Sequence, residues 1–253
     1  VKENDVLTEP TLEKLNEMNL FGMAKAWQEQ RNDTGAASLA FDERFALLVD
    51  AEHLTRQNRR ATARLKEAKL RNTRACMEDL DASPKRGLER ALVRQLTTCQ
   101  WIGQKQNVLV TGPTGTGKTY VACALGQQAC RKGYKTLYRR VPRLLDEMAI
   151  ARADGSYGTL LARLARTDVL ILDDWGVPTL NDPQRRDMLE ILEDRYGERA
   201  TVIASQLPVA SWYDVIGDPT LADAILDRVI HNAYKIALKG ESRRKGKEDN
   251  EEP

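Results

Sequence analysis

Gly112-Pro113-Thr114-Gly115-Thr116-Gly117-Lys118-Thr119 is the stretch that decides the fold, a complete G-x-x-x-x-G-K-[ST] pattern. An aliphatic run, Asn107–Thr111 (NVLVT), stands before it and a helix-forming run, Tyr120–Arg131, follows. Glycines at these positions let the backbone wrap tightly and turn its N–H groups onto phosphate oxygens. The following helix presents its positive end to the same anion. Lys118 supplies a point charge for the β- and γ-phosphates, and the Thr119 hydroxyl is a ligand for Mg²⁺. Tyr120 is the next residue at the mouth of this loop.

Working outward, Thr136–Val141, Val169–Asp173 and Thr201–Ser205 are further short aliphatic or β-branched runs separated by helical patterns. Strands alternating with amphipathic helices predict a parallel sheet covered on both faces, an α/β domain. Val169–Asp174 (VLILDD) ends in paired carboxylates at the sheet edge where such folds bind ligands. One Asp is suited to the Mg²⁺ shell and the next to orienting or deprotonating water. An Asp pair after a strand also serves as a helix cap; with the loop upstream, hydrolysis of a γ-phosphate is the better reading. Gln206, just past Thr201–Ser205, is placed to sense that phosphate, although polar strand ends are common. Arg228, on the helix beginning near Pro219, is either an arginine finger reaching a neighbour's nucleotide or half of an Asp227/Arg228 pair on a solvated face.

The chain has 253 residues with 39 Lys+Arg against 37 Asp+Glu, a net charge of +2. Its mean hydropathy is −0.52. A chain of this size buries about 70% of its unfolded surface, enough for a core without disulfides. No run approaches the ~18 apolar residues of a membrane span, and VKENDVLTEP lacks the apolar centre of a secretory signal. The expectation is a soluble intracellular protein with no membrane partner. Cys76, Cys99, Cys123 and Cys130 form no CxxC pair, and His53 and His231 stand far apart, so zinc and Cys–His chemistry are poor fits.

Residues 10–30 and 39–75 carry helical periodicity, with a turn at Asn32–Ser38 and a hinge-like break at Asp81–Gly87. The predicted organisation is an all-helical domain over 1–80 and an α/β domain over 81–253 ending in a short disordered tail. Residues 54–74 hold Arg56, Arg59, Arg60, Arg64, Lys66, Lys69, Arg71 and Arg74 against Glu67 alone. That concentration reads as a helix binding the phosphate backbone of duplex DNA; without interleaved aromatics, base stacking is not indicated. A solvated charged face is the plainer alternative.

GPTGTGKT, ARADGSYG (151–158), LILDDWG (170–176), LEILEDRYG (189–197), SQLP (205–208), GDPTLADAILDR (217–228) and KGES (239–242) together resemble the IstB-like family. FGMAKAW and FDERFALLVDAE extend the likeness through the helical region. These are ATP-binding helpers encoded beside the transposase in bacterial insertion sequences, similar to DnaC-type helicase loaders within the AAA+ ATPases. The resemblance implies an ATP-dependent homo-oligomer that forms on double-stranded target DNA, remodels it, and recruits and stimulates the cognate transposase. It implies a bacterial cytoplasmic location, nucleoid-associated when on DNA. It gives Asp173 the Mg²⁺ role, Asp174 the base, Gln206 the first sensor, Arg228 the trans arginine and Arg244 a place in the second sensor. The arginine-rich Arg139–Arg166 corresponds to the helical element with which initiator-type relatives touch DNA. Tyr120 replaces a commoner histidine, Gln206 stands where Asn is frequent, and Asp174 is one methylene shorter than the usual Glu. Slow hydrolysis follows, with ATP acting as an assembly switch. A helicase loader and a metabolic P-loop kinase are the competing readings.

Overall fold

The structure, a computed structural model, describes residues 8–177 and 179–241; Arg244 and the charged tail lie outside the described residues. The chain divides into two compact units, the division falling between Ala63 and Arg64.

Helices α1 (Thr8–Glu17), α2 (Phe21–Asn32) and most of α3 (Phe41–Ala68) build the first unit. The single helix expected over 10–30 is broken at Asn19, whose φ of +58° ends α1 while the Leu20 N–H returns to the Leu15 carbonyl at 2.8 Å, a common way to satisfy last-turn carbonyls. Gly22 lets α2 cross α3 closely: a Cβ there would lie 2.6 Å from the Ala51 carbonyl and 2.8 Å from the Glu52 Cα. Buried Glu52 then accepts the N–H groups of Gly22 (2.8 Å) and Met23 (3.1 Å), two first-turn donors without intrahelical partners.

The second unit is a three-layer α/β/α domain. Strands β1 (Asn107–Thr111), β2 (Thr136–Arg140), β3 (Val169–Trp175), β4 (Ala200–Ser205) and β5 (Ala233–Ala237) form a parallel sheet in the order β2-β3-β4-β1-β5. Period-two alternation sends Val108, Val110, Ile171 and Val202 to one face and Leu109, Leu170, Leu172 and Ile203 to the other. Central strands buried on both sides read as continuous apolar runs, which is why they were legible. On the first face lie α4 (Arg90–Thr97), α5 (Gln100–Gly103) and α6 (Lys118–Arg131). The opposite face carries α7 (Val141–Asp154), α8 (Tyr157–Ala165), α9 (Asp182–Glu193), α10 (Trp212–Ile216) and α11 (Pro219–Ile230). Trp175 and Trp212 pack there with ring centroids 5.5 Å apart.

Three expectations change. First, the boundary expected at 80/81 falls at 63/64, because Ala68, Leu70, Ala75 and Met77 are buried against the α/β core. Second, the basic segment 54–74 is not one helix: α3 stops at Ala68 and Lys69 turns left-handed with φ +51°, so Arg71 and Arg74 lie beyond the helix. Third, Asp81–Gly87 is no hinge between domains. Its Arg86 carbonyl accepts the Lys239 N–H at 2.9 Å, holding it beside the chain that leaves β5. The strand β5 itself was missed; it is a sheet edge with one buried residue, two half-buried and two exposed.

Candidate nucleotide-binding site

The phosphate loop links the end of β1 to the start of α6, with Gly112, Gly115 and Gly117 all at positive φ. At Gly112 (φ +146°) a Cβ would lie 2.4 Å from the Leu238 carbonyl. The Lys118 ammonium donates to the Pro113 carbonyl at 2.8 Å, folding over the loop. A cavity of about 480 Å³ opens here, lined by Thr114, Gly115 and the run from Gly117 to Val121 with Asp173, Asp174, Gln206, Arg71, Asn72, Leu80 and Arg86.

Strand β3 delivers both carboxylates through a bulge. Between Leu172 and Trp175 it spends one residue more than β4 does between Ile203 and Ser205, and Asp174 takes φ +60°, a conformation uncommon outside glycine. A bulge of this kind re-aims side chains: Asp173 and Asp174 both face the cavity instead of alternating. Asp173 is 1% exposed. Its Oδ2 accepts the Thr119 hydroxyl at 2.8 Å and the Tyr138 hydroxyl at 2.6 Å, and its Oδ1 the Asp174 N–H at 2.9 Å. Burial, with Asp173 beside it, pushes the Tyr138 hydroxyl far up, so it stays a donor. Thr119 and Asp173 thus set two hard oxygen ligands side by side against the phosphate loop, a donor set suited to Mg²⁺.

Asp174 is engaged by an arginine. Arg140, at the end of β2, places Nε 2.6 Å from its Oδ2, and Arg140 shares a neighbouring cleft with Lys69, Arg71, Arg139 and Arg143. Gln206 lies at the cavity wall, its Oε1 accepting the Thr114 hydroxyl at 2.8 Å. Tyr120 lines the same cavity. The structure therefore brings together the loop, Tyr120, Asp173, Asp174 and Gln206.

It does not bring Arg228 to them. Near the C-terminal end of α11, Arg228 sits by the start of β1, where the Asn107 side chain donates to its carbonyl at 3.2 Å; this is the sheet edge opposite the loop. Its guanidinium is ion-paired with Glu193 and donates to the Ala224 carbonyl at 2.7 Å. Within one chain it is no nucleotide ligand. Among the basic residues, Arg56 is tied to Glu52 at 2.6 Å, Arg71 belongs to the nucleotide cavity, and Arg59, Arg60, Lys66, Lys69 and Arg74 are exposed, with Arg64 half-buried. Sequence reasoning missed Arg86, Tyr138 and Arg140 at the site; Arg86 donates to the Thr116 carbonyl at 2.8 Å. Motif spacing carries no signal for any of them, since each arrives from another segment.

A phosphate loop after a central strand, carboxylates on the strand beyond β4, and this strand order define a P-loop nucleotide-binding protein of the AAA+ class. The family model described as IstB-like ATP binding protein matches residues 13–251. The chain belongs to that family. It is 50% identical over 240 residues to the insertion sequence ATP-binding protein y4pL of Sinorhizobium fredii, covering 95% of this chain and 98% of that protein. An IS1162 ATP-binding protein of Pseudomonas fluorescens is 49% identical over 80% of this chain and 88% of its own length. Among solved structures, the DnaC helicase loader shares the fold with a TM-score of 0.54 at 18% identity, over 65% of this chain and 97% of that one.

Proposed function

We propose that this chain is an ATP-driven DNA-assembly factor for transposition. With ATP and Mg²⁺ it oligomerises on double-stranded target DNA, remodels the duplex, and recruits and stimulates a cognate transposase; hydrolysis controls disassembly. The observation that carries this reading is a complete phosphate-loop site in a chain 50% identical to an insertion-sequence ATP-binding protein. Its place of action is the bacterial cytoplasm, on the nucleoid when bound to DNA.

In this reading the loop N–H groups and Lys118 bind the phosphates, and Thr119 and Asp173 hold Mg²⁺. When bound, Mg²⁺ neutralises charge on the β- and γ-phosphate oxygens. Gln206, tethered to Thr114, orients the γ-phosphate end. Asp174 is the base that accepts a proton from the attacking water, but its carboxylate is engaged by Arg140 and must part from it to reach that water. The 2.6 Å Arg140 contact supports a resting state in which turnover is slow until DNA or a partner frees Asp174. Arg228 acts on the nucleotide of an adjacent protomer after leaving Glu193. Arg59, Arg60, Arg64, Lys66, Lys69 and Arg74 supply phosphate-backbone contacts whose affinity falls with salt.

Negative-stain microscopy of wild-type protein and Lys118→Ala, with ATP–Mg²⁺ and a duplex of about 60 base pairs (roughly 200 Å), tests the proposal. Nucleotide-dependent rings or helices on DNA by the wild type alone support it. Normal assembly by the variant, or a monomer indifferent to ATP and DNA, overturns it. Capture of a replicative helicase in place of transposase would favour the loader reading.

A further inference from the structure

Asp173 is held by more than the phosphate-loop threonine. The hydroxyl of Thr119, on α6, and that of Tyr138, on β2, meet the same Oδ2 at 2.8 and 2.6 Å. The Asp174 N–H holds Oδ1 at 2.9 Å. Tyr138 is opposite Ile171 in the β2–β3 register and is 6% exposed. Its ring is part of the buried core on the α6 face. Its hydroxyl thus arrives on a rigid support, and the carboxylate is fixed from the strand side and the helix side at once.

We propose that Tyr138 is a positioning residue for the metal: it locks the Asp173 carboxylate in the orientation a small octahedral cation needs, and so sets a preference for Mg²⁺ over Ca²⁺. This rests on the reading of Thr119 and Asp173 as the metal pair. An aspartate with fewer tethers turns about its last side-chain bond. Mg²⁺ demands near-ideal geometry at about 2.0–2.1 Å, whereas Ca²⁺ accepts variable coordination at about 2.3–2.6 Å. Loss of one tether therefore penalises Mg²⁺ selectively. Thr119 and Tyr138 both donate to Oδ2, and a carboxylate oxygen has two acceptor directions, so Oδ1, which accepts the Asp174 N–H, has a second direction for the metal.

The test compares wild type with Tyr138→Phe, which keeps the ring and removes the hydroxyl. A fluorescent ATP analogue is bound in excess EDTA, and the complex is then titrated with free Mg²⁺ or Ca²⁺, with thermal melts in parallel. The expected result is a half-saturating Mg²⁺ concentration raised about tenfold, the lower end of what loss of a hydrogen bond to a ligand costs. For Ca²⁺ the shift stays below about twofold, and metal-free nucleotide affinity is unchanged. Superimposable Mg²⁺ curves, equal shifts for both ions, or a matching loss of metal-free affinity would each overturn the inference. A wild-type complex indifferent to both ions would overturn the metal pair itself, which separates the two failures. The titration needs neither DNA nor assembly.

Discussion

Replacing Arg140 by alanine releases the Asp174 carboxylate from its ion pair and measures what that contact costs the reaction. The pair is short, Nε to Oδ2 2.6 Å, with the Asp174 side chain 18% exposed and that of Arg140 38% exposed. A sheltered hydrogen bond to a charged group contributes about 1.5–3 kcal/mol. Solvent at the arginine screens this pair toward about 1–1.4 kcal/mol. If Asp174 must leave Arg140 before it takes a proton, that energy is part of the barrier, and each 1.36 kcal/mol is about tenfold in rate. Arg140→Ala should therefore raise DNA-free ATP hydrolysis about five- to tenfold, with little change in nucleotide affinity. The assay is single-turnover phosphate release at saturating ATP–Mg²⁺, with Arg140→Lys as a comparison that keeps the charge and loses the guanidinium geometry. A rate that stays level or falls, in a variant with unchanged melting temperature and nucleotide affinity, refutes the resting-state argument. A fall would mean that the guanidinium supports the transition state.

Other perturbations read other parts of the molecule. Burial would raise the Glu52 carboxyl, but Arg56 and the Met23 and Gly22 N–H groups outweigh it and hold it below the ordinary carboxylate range; its stabilising contribution is complete above the unfolded value of about 4.3 and fades as pH falls through the lower folded value. Circular-dichroism melts from neutral to acid pH should show that loss in the first unit, and Glu52→Gln should flatten it while costing about 1 kcal/mol at neutral pH; equal slopes would count against the cap. Gly22→Ala drives a methyl to 2.4 Å from the Thr55 hydroxyl and 2.6 Å from the Ala51 carbonyl, so urea unfolding should show about 1–3 kcal/mol of destabilisation, and a neutral result would mean that the α2–α3 crossing yields easily. Arg228→Ala protomers mixed into wild type should depress DNA-stimulated hydrolysis more than in proportion to their share; a linear titration would remove Arg228 as a trans finger.

The phosphate loop, four strands and the Asp173/Asp174 pair were legible because each is local. Glycine, lysine and hydroxyl lie within eight residues, and a strand buried on both faces is a continuous apolar run. What escaped depends on distance along the chain. β5 is an edge strand, and its AYKIA has one buried residue, so periodicity had little to register. Tyr138 and Arg140 reach the carboxylates across the β2–β3 register, which no spacing within one segment encodes. The cluster of cations over 54–74 was visible as charge, but composition could not show that α3 ends at Ala68 and that Arg71 turns into the nucleotide cavity. Arg228 was visible only as an arginine near a helix end, and its ion pair with Glu193 joins two helices distant in sequence.

The bulge that aims the carboxylates also places an indole one peptide bond beyond Asp174. Trp175 is 2% exposed, rests 5.5 Å from Trp212, and its carbonyl accepts the Ser205 hydroxyl at 2.8 Å, one residue before Gln206. The strands that carry Asp173 and Asp174 and lead into Gln206 thus converge on a pair of packed indoles. Intrinsic emission from that pair, separated from Trp27 and Trp101 by replacing those two with phenylalanine, is an unlabelled optical probe of the carboxylate strand: a change on adding ATP–Mg²⁺ would report movement of the segment that carries Asp174.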